Sequence, residues 1–476
     1  MRLTFYGGIK EIGGNKILLE DKKTVILLDF GKSYKEAGKY FEEFVNPRAV
    51  QGLKDYLELG LLPRKEGFYR QDLIKISGES GLTLYEKPKI DAVILSHGHL
   101  DHAGYISFLN PEIPVFTTKE TLAVLGAFYI SRPKNLENEI IEISEREEAD
   151  FKKRKKKKRA IIAVEDQKPF FIKNLKITPI KVDHSVPGAS MFLIESSIGS
   201  ILYSGDFRLS EISEERKKEI CSFLRKAKIK IFICEGTRIK EQIILREEKV
   251  RQDALEKIKE IKGLVVVDYS IGDVVRFKTL SAIARETKRF FALPYNYFNY
   301  LSFLKQNGIN AEGFENVALY AKKKISFKKW EKDLIKNSKV VTSEDIAKDK
   351  KHYLLALNFY QIQELIDLKI NEDCFYLRAI TEPHSEEMEI SEERFVNWIK
   401  HFKMQGLREE IIESGEKKSV FDRAHISGHI SGKELAEFIE KIKPEAIIPI
   451  HTEFPEEFKN IYKNIIIAEK NETIKI

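Results

Sequence analysis

The chain has 476 residues, 42% hydrophobic and 33% charged, with 81 basic and 74 acidic side chains for a net charge of +7. That length exceeds what one hydrophobic core organises, so two domains are expected, and the composition excludes a disordered or fibrous protein. Three widely spaced cysteines (Cys221, Cys234, Cys374) give no disulfide framework, no secretory leader is legible and no apolar run reaches a membrane span; a soluble, cytoplasmic chain without a membrane partner is the expectation.

In chain order, short runs rich in Ile, Val and Leu that end in turn residues predict strands: "RLTFYGG", "NKILLE", "TVILLDFG" and then "IDAVILSHGH". A polar, aromatic segment at 32–86 interrupts them and reads as an insertion. The block "KKRKKKKR" (152–159) is expected to be a solvated loop, with contact to a phosphate backbone as the alternative. "LKITPIKVDH" and "SILYSGDF" continue the strand series. From about residue 210 the rhythm changes to strand–helix alternation through "KIKIFICEG", "GLVVVDYS", a helix near 273–287, "RFFALP", "HYLLALN" and "CFYLRAI", the pattern of an α/β unit with a mainly parallel sheet. "KKK" at 322–324 with Lys328 and Lys329 poses the same choice as the first basic run. The last sixty or so residues return to the first style, so a middle domain inserted into a first one is expected: 1–208, 209–422 and 423–476.

"SHGHLDHAG" (96–104) places His97, His99, Asp101 and His102 directly after an apolar run. Extended backbone sends alternate side chains to one side, so His97 and His99 converge, and a turn brings Asp101 and His102 round to a second position. Imidazole with carboxylate suits zinc, and two cations about 4 Å apart suit phosphoryl or acyl hydrolysis. Asp29, His184 and Asp206 each end a predicted strand; singly each reads as a strand cap. Together the picture changes, because seven of the ten histidines fall at 97–102, 184 and 425–451. Asp206 is the natural bridge between two cations, having two oxygens. His352, His384 and His401 read as ordinary surface or packing residues.

The order Asp29, "HGHLDH", His184, Asp206 resembles the metal motifs of the metallo-β-lactamase fold. "FICEGT" with Glu235, the long insertion, "SGH" with His429 and "PIH" with His451 resemble the β-CASP nucleases, and "HISGHISGKELAEFIEKIKPEAIIPIHTE" is similar to the ribonuclease J family. The resemblance covers nearly the whole chain and implies an α/β fold, a metallo-β-lactamase αββα sandwich with an inserted Rossmann-like β-CASP domain. It implies one zinc on His97, His99 and His184 and another on Asp101, His102 and His451, with Asp206 between them and Mn²⁺ or Mg²⁺ as substitutes. Asp29 would support the site. It also implies His429 as a general acid oriented by Glu235, Asp101 orienting the attacking water, and single-stranded RNA as substrate, since a histidine at His451 goes with RNA in this group. The leading expectation is 5′-to-3′ exonucleolytic hydrolysis leaving 5′-phosphate and 3′-hydroxyl ends. A mainly endonucleolytic enzyme like the polyadenylation-factor nucleases, a DNA nuclease or small-molecule hydrolase on the same fold, and a non-catalytic RNA-binding subunit are the alternatives; a homodimer is the candidate assembly.

Within "HISGHIS" (425–431), Ser431 and Glu434 have capping-box spacing, Leu435, Phe438, Ile439 and Ile442 form one helical apolar face, and Pro444 marks the end. The loop therefore feeds a helix N-terminus, where N–H groups favour an anion. Ser427, Gly428, Ser431 and His425 are read either as a phosphate pocket, as the resemblance suggests, or as turn, cap and packing chemistry. The departures from the family are Thr452, where glycine is usual, the 32–86 segment, and the expected absence of both a leading RNA-binding domain and an extra C-terminal domain.

Overall fold

The structure, a computed structural model, describes every residue except 43, 79, 148–149, 310–311, 382–385 and 412–416; His384 lies outside the described residues. The chain forms two compact units, residues 1–244 with 428–476, and residues 245–427.

In the first unit two sheets face each other. One runs Thr473–Lys475, Arg2–Gly7, Lys16–Asp21, Thr24–Phe30, Ala92–Ile94, Val115–Thr118 and Ile161–Val164; the other runs Ala446–Ile450, Ile229–Glu235, Gly199–Tyr203, Ser190–Ser196, Leu175–Lys181 and Phe170–Ile172. Alternating residues such as Phe5, Ile17, Ile26 and Ile94 meet Ile177, Ile194, Ile231 and Ile448 in a core between the sheets. The outer face of the second sheet is covered by the helices Glu214–Lys226 and Gly432–Ile442, through Ile220, Leu224, Leu435, Phe438 and Ile439. This is the expected αββα sandwich.

Two expectations need correction. The boundary at 208/209 falls too early, because Ile229–Glu235 hydrogen-bonds in parallel between Gly199–Tyr203 and Ala446–Ile450. It is therefore a central strand of the first unit, and the division comes at 244/245. The 32–86 segment is part of the core: Leu53, Tyr56, Leu57, Phe68, Tyr69 and Leu73 pack with Tyr105, Ile106 and Phe108 on the outer face of the first sheet.

The basic run is not a loop. Asp150–Lys158 pairs antiparallel with Glu142–Glu147, so acidic residues of one arm lie opposite lysines of the other; Glu145 faces Lys155, and Lys156 Nζ reaches Glu142 Oε1 at 2.5 Å. Its last member, Arg159, is 5% exposed and donates to the carbonyls of Asn110, Leu109 and Ile106 at 2.7–2.9 Å, with burial pulling its pKa down to about 9.

The inserted unit is a parallel sheet in the order Val340–Val341, Val317–Tyr320, Phe290–Pro294, Tyr353–Ala356, Val265–Tyr269, Phe375–Ala379, with helices in the connections, among them Val274–Glu286 and Tyr295–Gln306. "KKK" at 322–324 leaves the carboxyl end of Val317–Tyr320. His352 and His401 are exposed. Among the described residues no helix is long and apolar enough to cross a membrane.

The two ends of the basic run should behave differently. Arg159→Met leaves several buried carbonyls without a donor and should cost about 3 kcal/mol in urea denaturation, whereas Lys155→Ala should stay within about 0.5 kcal/mol.

Candidate metal centre and active site

The site forms where strands of both sheets of the first unit end. Ala92–Ile94 delivers Leu95 and Ser96, then His97; His99 is the N-cap of a single helical turn, Leu100–Ala103, that carries Asp101 and His102. His184 follows Leu175–Lys181, Asp206 follows Gly199–Tyr203, Glu235 ends its own strand, and His451 follows Ala446–Ile450. Backbone approach here is close. A Cβ on Gly31 would lie 1.6 Å from the carbonyl oxygen of Asp101, so only glycine lets the strand end meet the metal-loop helix.

Two groups of donors share Asp206. In the first, His97 Nε2 and His184 Nε2 lie 3.1 and 3.2 Å from His99 Nδ1 and 3.6 and 3.8 Å from Asp206 Oδ2. In the second, His102 Nε2 is 3.1 Å and His451 Nε2 3.5 Å from Asp206 Oδ2, and both approach Asp101 Oδ2, at 3.7 and 3.2 Å. Within each group the ligand atoms lie within 4.8 Å of one another. The structure thus brings together all seven residues expected as metal ligands.

The far side of most rings is held by hydrogen bonds. His102 Nδ1 donates to Asp29 Oδ2 at 2.6 Å, and Asp29 also accepts from Ser96 N, Ser96 Oγ and Tyr203 OH at 2.6–2.7 Å. His184 Nδ1 donates to the Gly428 carbonyl at 2.7 Å, and His451 Nδ1 lies 2.9 Å from Thr237 Oγ1. Each such bond fixes a tautomer that turns the other nitrogen's lone pair inward. Asp29 and His451 both have φ near +50°, a left-handed backbone that costs non-glycine residues on the order of 1 kcal/mol or more each.

These residues fit a pair of cations. Lone pairs face one another in a buried pocket, and Asp206 Oδ1, buried, has no hydrogen-bond donor among the described residues. Burial holds His97 and His184 well below the ordinary imidazole range and His99 at about 4. Burial opposes protonation of His102 too, but Asp206 and Asp101 outweigh it and raise its pKa, because its inward nitrogen faces their carboxylates. Asp206 itself is held far below the carboxylate range because His102, His451 and His429 outweigh its burial.

His429 stands beside the second group. Its Nδ1 is 3.1 Å from both oxygens of Glu235, which in turn accepts from Phe207 N at 2.9 Å. Burial would lower its pKa, but Glu235 and Asp206 outweigh it and raise it to about 9. The cluster is closed on most sides: His97, His102 and His451 side chains are fully buried, while Asp101 keeps 21% and His429 18% of its exposure. Asp101 and His429 therefore flank the route by which a reactant reaches the centre.

The expected phosphate loop divides. Gly428 does permit close approach, but to His184, whose ring a Cβ would meet at 2.8 Å. Ser431 caps the helix Gly432–Ile442, accepting from Glu434 N at 3.3 Å, and Gly432 N is already taken by the carbonyls of Arg238 and Glu241. The first turn is thus partly satisfied from within. His425 and Ser427 belong to the inserted unit and are not part of the cluster's own unit. Thr452 is accommodated because it is buried against Gly236, with its hydroxyl accepting from Phe454 N.

Sequence reasoning passed over Thr237, whose hydroxyl lies within 3.2 Å of both His429 Nδ1 and His451 Nδ1, and Ser96. The only signal for either was a small hydroxyl residue next to a ligand motif.

Comparison with known proteins places the chain among related sequences and folds. Residues 76–243 match the family described as Beta-lactamase superfamily domain, and residues 417–460 match the Zn-dependent metallo-hydrolase RNA specificity domain. The chain is similar to Ribonuclease J of Pyrococcus abyssi (22% identity, 99% of this chain and 96% of that protein), to Ribonuclease J of Methanocaldococcus jannaschii (22%, 94% and 90%) and to Ribonuclease J 2 of Streptococcus pyogenes (20%, 95% and 70%). A crystal structure of a protein of unknown function from Enterococcus faecalis V583 superposes with a TM-score of 0.71 at 21% identity over 99% of both chains, a likeness of fold.

Asp206→Ala should abolish retention of bound metal. Asp29→Asn and Thr237→Val, which touch no cation directly, should weaken it about 10- to 100-fold, read as metal content after dialysis against graded chelator. Unchanged retention in all three variants would contradict the assignment.

Proposed function

From the premise that the chain is a ribonuclease J-like protein of the metallo-β-lactamase fold, we propose that it is a metal-dependent ribonuclease that hydrolyses single-stranded RNA from the 5′ end, leaving 5′-phosphate and 3′-hydroxyl products. The observation that supports this reading is the set of donor groups sharing Asp206, with His429 beside them and held by Glu235. The RNA specificity of the matched family and the names of the relatives support RNA over other phosphodiesters. Three free cysteines suit a reducing, cytoplasmic setting.

His97, His99, His184 and Asp206 would hold one zinc, and Asp101, His102, His451 and Asp206 the other, with Mn²⁺ or Mg²⁺ as substitutes. Bound there, the cations supply Lewis-acid stabilisation of charge on the phosphoryl oxygens. Asp101, the ligand carboxylate open to solvent, accepts a hydrogen bond from the attacking water and aims it in line with the scissile bond. Glu235 holds the His429 ring through Nδ1 and favours its charged form, so the imidazolium gives its proton to the departing 3′ oxygen. Thr237 keeps His429 and His451 in register.

The test uses RNA of one sequence with 5′-monophosphate, 5′-triphosphate or 5′-hydroxyl ends. Mononucleotides should appear from the 5′ end, fastest from the monophosphate; equal internal cutting of all three rules out the 5′-end reading. His429→Ala should lower kcat about 100- to 10,000-fold with metal content and KM little changed.

A further inference from the structure

The basic segment 322–332, "KKKISFKKWEK", takes no part in the mechanism above. It holds six lysines against one glutamate with three apolar or aromatic residues between them. Some of this charge is spent within the fold: Lys323 pairs with Glu344 at 2.8 Å and Lys324 with Glu331 at 2.5 Å. The ammonium groups of Lys322, Lys328 and Lys329 form no salt bridge among the described residues, though the Lys328 backbone N–H donates to Glu331 Oε2 at 2.8 Å. Ile325 stands fully exposed among these cations, an apolar tip that nothing in the inserted unit covers among the described residues.

The segment's position adds to its charge. Val317–Tyr320 and Phe290–Pro294 are parallel neighbours with Pro294 opposite Tyr320, so the loop from Ala321 and the helix Tyr295–Gln306 start side by side at the carboxyl edge of the sheet. That edge is where open α/β sheets present ligand sites. The helix has Pro294 as N-cap, which offers no side-chain acceptor to its first N–H groups. Tyr295, only 5% exposed, lies 6.2 Å from the Phe327 ring and 6.4 Å from Trp330, with Lys324 Nζ 5.5 Å over its own ring. Its hydroxyl is buried with no hydrogen-bond partner among the described residues. A buried phenol, an uncapped helix end and unpaired ammonium groups around half-exposed aromatic rings all ask for the same thing, a phosphate with a base beside it.

We propose that this edge of the inserted unit is a non-catalytic contact for single-stranded nucleic acid. Lys322, Lys328 and Lys329 take phosphates, and Phe327 and Trp330, with Ile325, take base faces. That the strand is RNA rests on the proposed function; the surface itself does not.

The experiment measures affinity for a labelled single-stranded oligouridylate of about 12 nucleotides with hydrolysis-resistant phosphorothioate linkages, by fluorescence anisotropy across a salt series. In the metal-loaded full chain, Lys322→Ala/Lys328→Ala/Lys329→Ala should weaken binding about tenfold and reduce the slope of log affinity against log salt by about 2. Phe327→Ala should weaken binding while leaving that slope unchanged. Hydrolysis of bis(4-nitrophenyl) phosphate, a diester with no chain to span a second surface, should stay at the wild-type rate in both variants. Unchanged affinity and slope would overturn the inference, as would an equal loss on replacing Lys155, Lys156 and Lys157 of the hairpin, which would make net charge the cause. If instead the wild-type chain binds the oligouridylate through this edge but cleaves no RNA, the ribonuclease reading fails and the surface stands.

Discussion

The buried carboxylate of Asp206 sets the terms for the first unit. It is 1% exposed, ringed by histidines from both sheets, and left with an oxygen that no donor among the described residues satisfies. A charge in that position would cost several kcal/mol without compensation, so the surrounding fold is organised to supply cations to it. The sandwich does this by bringing strand ends from both sheets to one edge, where every ligand sits on the residue or turn that follows an apolar run. Rigid strands behind and short turns in front hold such a cluster to the tolerance that metal coordination needs.

The support for that arrangement is itself strained. Asp29 and His451 occupy left-handed backbone, and the Asp29 carboxylate gathers four hydrogen bonds that hold it there. The buried network that orients His102 also offsets the backbone cost at Asp29, so ligand geometry and local stability are not separable properties here. Gly428 acts in the same way: its carbonyl orients the His184 ring, and the next residue in the chain is His429.

Much of the site was legible because its chemistry is local. "HGHLDH" after an apolar run, and Asp206 and His184 at strand ends, depend on period-two strands and their turns, which a sequence displays directly. What the sequence concealed depended on partners far along the chain. The lysine run looked like a solvated loop because charge composition cannot show that "EISERE" lies across from it, nor that Arg159 turns inward to five carbonyls. The 32–86 segment reads as an insertion because its short helices mix aromatic and polar residues without a clear period; its aromatics pack into a core. Ile229–Glu235 was assigned to the middle unit because its rhythm matches the parallel strands after it, and its true neighbour, Ala446–Ile450, comes only after the insertion.

That last pairing has a consequence for synthesis. Glu235 lies opposite Ile450 in the parallel ladder, and the strand that carries His451 to the centre is made only after the entire inserted unit. A chain still emerging from the ribosome that has made only the HGHLDH turn and Asp206 lacks both His451 and His429 and so cannot complete the second group of donors. The donor cluster is therefore complete only once the segment after the insertion lies beside the central strand.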